Sequence, residues 1–159
     1  MYKKLTVIAL LIGIAAVSAR AQQDPFVGTW KQNLAKSTYD PGPPPAQGNM
    51  HKIEAVPNGL KVTTSGGGVN AQGQPTGSEW TAYFDGKDYP MKDLTNTYDA
   101  ISLKKTGPRS FEALSKKGGK IMRTSQWSVS ADGKTLTRPS KSTNAQGQAA
   151  SSTMVYDKQ

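Results

Sequence analysis

Apolar and polar residues alternate in short runs along most of this chain, and the three-to-four-residue recurrence of an amphipathic helix is almost absent. In residues 78–84, Trp80, Ala82 and Phe84 share one phase, while Glu79, Thr81 and Tyr83 share the other. Runs of this kind, bounded by turn signals, predict strands over 26–33, 51–56, 60–65, 78–84, 89–91, 98–104, 110–116, 120–129, 135–142 and 153–157. Pro57-Asn58-Gly59, Asp85-Gly86-Lys87-Asp88, Thr106-Gly107-Pro108, Lys117-Gly118-Gly119 and Asp132-Gly133-Lys134 are turns short enough to join antiparallel neighbours. Prolines 41, 43, 44 and 45 forbid ladder pairing and mark an extended surface loop after the first strand. The pattern predicts an all-β protein, a single antiparallel up-and-down β-barrel of about 8–10 strands, because closure removes the edges that an open meander leaves exposed. The pentapeptide NAQGQ occurs twice, at 70–74 and 144–148, with unlike flanks. Repeated use of a good glycine-containing hairpin tip explains it better than duplication does.

Strand phase also names the interior. His51, Ile53 and Ala55 face inward, as do Leu60, Val62 and Thr64, then Ile101 and Leu103, then Phe111, Ala113 and Ser115. Several of these are small or polar, which favours a barrel with room for one small ligand over a barrel filled by its own side chains. In KIMRTSQWSV the apolar phase Ile121, Ser125, Trp127 and Val129 carries Arg123 inward with it. An isolated buried charge is very costly, so Arg123 has two roles open to it. It anchors a ligand carboxylate or phosphate, or it pairs with an internal acid or reaches the barrel mouth. Together with its inward neighbours it defines the candidate ligand-binding residues Trp80, Phe84, Arg123 and Trp127.

The first 21 residues belong to a different pattern. Lys3 and Lys4 precede an apolar run, residues 5–18, and Ala19-Arg20-Ala21 supplies a small-x-small cleavage signal. This predicts a secretory signal peptide at 1–21, cleaved near Ala21, because a spanning helix needs about 20 apolar residues. The mature chain, 22–159, is then one soluble domain, exported to the periplasm or the extracellular space. Three of the 20 basic residues lie in the leader, so 17 remain against 11 acidic ones and the mature charge is about +6. The absence of cysteine excludes disulfide stapling and lipid attachment.

Candidate chemistry is sparse. There is one histidine and no H-E-x-x-H, G-x-S-x-G or phosphate loop, and His51 lies on the opposite strand phase from Glu54. Asp85 and Asp88 in FDGKDY lack the oxygen-ligand spacing of a calcium site and read as a plain Asp-Gly turn. The expectation is a non-enzyme with no metal and no cofactor. The doublets Lys104-Lys105 and Lys116-Lys117, with Lys120, offer a cationic patch for anionic envelope lipid or polysaccharide, or simply blunt strand edges. Nucleic acid is a poor partner for an exported domain.

The segment FVGTW at 26–30, with its Gly-x-Trp spacing at the start of the first strand, resembles the opening of the lipocalins and the wider calycin group. The longer FVGTWKQNLAKSTYDPGPPP resembles a group of uncharacterised exported bacterial proteins that share this opening, over the whole mature chain. The lipocalin resemblance implies that Trp30, with Gly28 beside it, closes the barrel floor under a basic residue from a late strand, here Arg138 or Lys158. A TDY-like central motif and a C-terminal helix are not evident. The combined expectation is an exported, monomeric, non-enzymatic barrel that binds or carries a small apolar or amphipathic ligand inside. The alternative is a packed barrel that binds anionic envelope material at its surface. An internal cavity of about 300 Å³ or more marks the first reading and a filled core the second.

Overall fold

The computed structural model describes residues 24–69, 73–143 and 147–159; the leader and most of each NAQGQ copy lie outside the described residues. The strands are β1 (Gly28–Gln32), β2 (Thr38–Asp40), β3 (Asn49–Val56), β4 (Gly59–Gly66), β5 (Ser78–Tyr83), β6 (Tyr89–Asp93), β7 (Ala100–Gly107), β8 (Ser110–Lys117), β9 (Lys120–Val129), β10 (Thr135–Thr143) and β11 (Ala149–Lys158). From β3 onward every strand pairs antiparallel with the next, and β1 pairs with both β3 and β11. That last pairing, with Trp30 opposite Lys158 and Gln32 opposite Tyr156, closes the sheet. The result is a closed antiparallel barrel of ten strands, with β2 as the continuation of β1.

The first strand is broken rather than absent between Gln32 and Thr38. A single 3-10 turn, Leu34–Lys36, is started by the Asn33 side chain, whose Oδ1 accepts from the Lys36 N–H at 3.2 Å. The ladder to β11 survives the break. Asn33 N–H donates to the Val155 carbonyl at 2.8 Å, and Val155 N–H donates to the Ser37 hydroxyl oxygen at 3.0 Å in place of a backbone carbonyl. Beyond β2 the proline-rich segment 41–48 runs over the surface as an exposed loop, as its missing N–H donors require.

The alternation places the interior where the phase rule puts it for most strands. Ile53, Leu60, Val62, Trp80, Ala82, Ile101, Leu103, Phe111, Ala113, Trp127 and Val129 are all buried in one cluster with Phe26, Trp30, Leu136 and Tyr156. Two inward assignments fail at strand ends. Ile121 is 49% exposed because the β8–β9 register shifts between Ser115 and Lys116, and Ile121 lies beyond that irregularity. Ala55 is exposed beside the Pro57-Asn58 turn, where the barrel wall runs out. Boundaries also differ: Phe26 precedes β1 in a turn held by Asp24, Tyr98 precedes β7, and β11 is longer than the 153–157 segment read from the sequence.

Candidate functional site

The two ends of the barrel are unlike. At one end Phe26 packs edge-on to Phe111 at 4.7 Å, and Trp30, fully buried, donates its indole N–H to the Phe26 carbonyl at 2.8 Å. The Lys158 ammonium lies 5.0 Å from the Trp30 ring centroid. Of the two basic residues implied for this position it is Lys158, not Arg138, that crosses the tryptophan. Gly28 makes the crossing possible. Its φ is +139°, and a Cβ there would sit 2.8 Å from Lys158 Cε.

Toward the other end the interior is hollow. A cavity of about 250 Å³ opens between the β4–β5 connection, at Gly66 and Thr76 to Ser78, and the β6–β7 connection, at Asp93 to Tyr98. This volume falls below the 300 Å³ mark, yet the core is not filled. Trp80, Trp127 and the Arg138 side chain occupy space that smaller interior residues would leave open, and Ser115, Ser125 and Ala113 leave the remainder.

The cavity wall contains Trp80, Arg123 and Trp127, three of the four candidate ligand residues. Phe84 is a correction. It follows β5 rather than extending it, and it packs against Phe111 at 5.5 Å under the Lys105 ammonium at 4.3 Å, at the closed end and away from the cavity. The wall also holds His51, Arg138, Met154, Tyr98 and Met91. Of these, His51 was read as inward from strand phase; Arg138 was not, although in TLTRPSKS it shares one phase with Leu136 and Ser140 and all three are buried.

Arg138 is 7% exposed, and among the described residues no carboxylate pairs with it. Its guanidinium donates to His51 Nε2 at 3.4 Å and to the Met154 sulfur at 2.8 Å, and lies 5.0 Å from the Trp127 ring centroid and 5.8 Å from that of Tyr156. Its Nε has no hydrogen-bond partner among the described residues. Burial is the main cause that lowers its pKa from the ordinary arginine value. Arg123 lies nearer the mouth, its guanidinium 4.4 Å from the Tyr98 ring centroid and donating to the Tyr98 hydroxyl. Of the two alternatives to a ligand anchor, it is the position toward the barrel mouth that Arg123 takes, and among the described residues no internal acid pairs with it. The carboxylate on the cavity wall is Asp93 at the rim, occupied by the Thr95 hydroxyl and the Thr97 and Tyr98 N–H groups. Neither arginine forms an ion pair among the described residues.

His51 is buried between two rings, 5.1 Å from Trp127 and 4.6 Å from Tyr156. Because arginine can only donate, His51 Nε2 is the acceptor, and its Nδ1–H therefore points at the Thr64 hydroxyl oxygen 2.9 Å away. Burial first, then the charges of Arg138 and Arg123, hold its pKa well below 6.5. Tyr156 is pushed the other way, its phenol raised chiefly by burial. The arrangement is a desolvated cationic wall with soft, exchangeable acceptors, and it can receive an anion without first breaking a salt bridge.

Comparison with known proteins places the fold and nothing finer. No family model matches this chain, and no curated protein sequence matches it. Among solved structures, zebrafish ileal bile acid-binding protein complexed with cholic acid is similar over 85% of this chain and 99% of that one, with a TM-score of 0.54 and 12% identity. The chain has a calycin-like fold. That likeness is in backbone architecture, and the residues that line the cavity here stand on their own geometry.

The lysine doublets are largely engaged locally. Lys105 lies 3.7 Å from Asp24, Lys116 2.6 Å from Asp88 and Lys117 3.9 Å from Asp99. Ion pairs on the surface contribute little stability, but they reduce the net field that a cationic patch needs for attracting anionic material.

Proposed function

We propose that this protein is an exported, non-enzymatic barrel that binds a small amphipathic anion in its interior, with the apolar part against Trp80, Trp127 and Met91 and the anionic group toward Arg138 and Arg123. One observation carries the reading: Arg138 is a buried cation whose polar partners, among the described residues, are an imidazole nitrogen and a thioether, on the wall of an open cavity. Desolvating an unpaired cation costs several kcal/mol, and an entering carboxylate or similar group offsets that cost. The likeness to a barrel crystallised with cholic acid supports a ligand inside a fold of this kind. The volume of about 250 Å³ lies under the usual range of roughly 300–1,000 Å³ for ligand pockets, which points to a compact ligand.

The test compares a short amphipathic carboxylate, hexanoate, with its methyl ester by titration calorimetry on the purified protein. The acid is expected to bind at least tenfold more tightly at pH 7.5, and Arg138→Met to remove that preference. Arg138→Met should fold with unchanged or higher stability, since the lost cation–π contacts, roughly 0.5–2 kcal/mol each, are smaller than the desolvation relieved. Equal affinity for acid and ester, or no binding of either, sinks the proposal. Export is tested separately by the N-terminus of the protein in the extracytoplasmic fraction, which should lie near Gln22.

A further inference from the structure

The proposed anion site contains a group that changes charge. The geometry points to His51 as a third contact for the bound anion, which enters the barrel together with a proton taken up from water on His51 Nε2. This rests on the reading of the cavity as an anion site and adds to it a residue and a stoichiometry.

His51 Nε2 and Arg138 Nη1 face each other at 3.4 Å, a long contact that needs a neutral imidazole. An anion seated at this point on the wall draws the Arg138 N–H away from Nε2 and leaves that nitrogen aimed at negative charge. Protonated, Nε2–H donates to the anion, and Nδ1–H keeps its place on the Thr64 hydroxyl. The surroundings explain why the proton arrives only with the anion. The groups facing His51 are Arg138 from β10, Arg123 and Trp127 from β9, Tyr156 from β11 and Thr64 from β4, with Trp30 of β1 opposite it in the strand register. The charges among them are both positive, and they oppose a proton on the imidazole until a negative charge intervenes. The same anion that relieves Arg138 therefore relieves His51. By linkage, a site that gains a proton on binding binds more tightly as pH falls, provided the ligand keeps its charge.

Hexanesulfonate is the probe, because a sulfonate stays anionic throughout. His51 is the chain's one histidine, so its ring proton is identified in the NMR spectrum without assignment. Saturation with hexanesulfonate is expected to move the His51 titration to higher pH. Affinity should rise as pH falls from 8 to 5, by up to about tenfold per unit at its steepest. Calorimetry in two buffers of different ionisation enthalpy should register uptake of up to one proton, and His51→Gln should bind with affinity independent of pH. Sulfonate binding with an unmoved His51 titration and no proton uptake overturns the inference while leaving the anion site standing. No sulfonate binding at any pH overturns both. The NMR titration uses the wild-type protein, so the outcome does not depend on the variant folding.

Discussion

His51 has the most legible consequence for the folded protein before any ligand is considered. Its pKa is held well below 6.5 by burial and by Arg138 and Arg123, whereas the unfolded chain titrates it near 6.5. The unfolded state thus takes up the proton first. Stability from this residue is complete above about pH 6.5 and declines as pH falls below it, down to the folded value. Thermal melts of the ligand-free protein between pH 8 and 5 should show that decline, and His51→Gln should flatten it; a wild-type curve as flat as the variant's contradicts the assignment. Arg138 shows why the residue's surroundings matter more than its type. The same side chain in water needs no partner, but enclosed by Trp127, Tyr156 and Met154 it is desolvated without an anion beside it, and the proposed site rests on that.

The broken first strand is an element whose continuity depends on one hydroxyl. Between β1 and β2 the chain leaves the ladder for the Leu34–Lys36 turn, and the Ser37 oxygen accepts the Val155 N–H that would otherwise go unmatched. Ser37→Ala should cost about 1–2 kcal/mol by denaturant unfolding, the price of an unsatisfied backbone donor. Hydrogen exchange at Val155 should accelerate while exchange in β7 and β8 remains near the global rate. Uniform change across the barrel would assign the effect to global stability rather than to this junction. The sequence reads as a strand over 26–33 followed by a loop, so the break is legible there but the return to pairing at β2 is not, because Ser37 and β2 find their partners on β11, more than a hundred residues away.

The whole barrel is an asymmetric container, closed by aromatic packing at the Trp30 end and open at the Tyr98 end. Trp30 supports closure of the ring as well as the floor, because its strand joins β3 to β11. Trp30→Ala should destabilise the protein by about 3–5 kcal/mol, as expected for a buried large aromatic, with a lower midpoint in chemical denaturation. Unchanged stability would remove tryptophan from this role.

Alternation and turn chemistry are local properties, and they were enough for an all-β barrel, for most strand phases and for the inward direction of Trp80, Arg123 and Trp127. Each depends on residues within one strand or one turn. Closure onto β11, the choice of Lys158 over Arg138 above Trp30, and the removal of Phe84 to the closed end depend on register between distant strands. So does the meeting of His51, Arg138 and Tyr156, which come from β3, β10 and β11. Strand phase says which way a side chain points; it carries no information about what stands opposite, and the charge state of a buried group is set by what stands opposite.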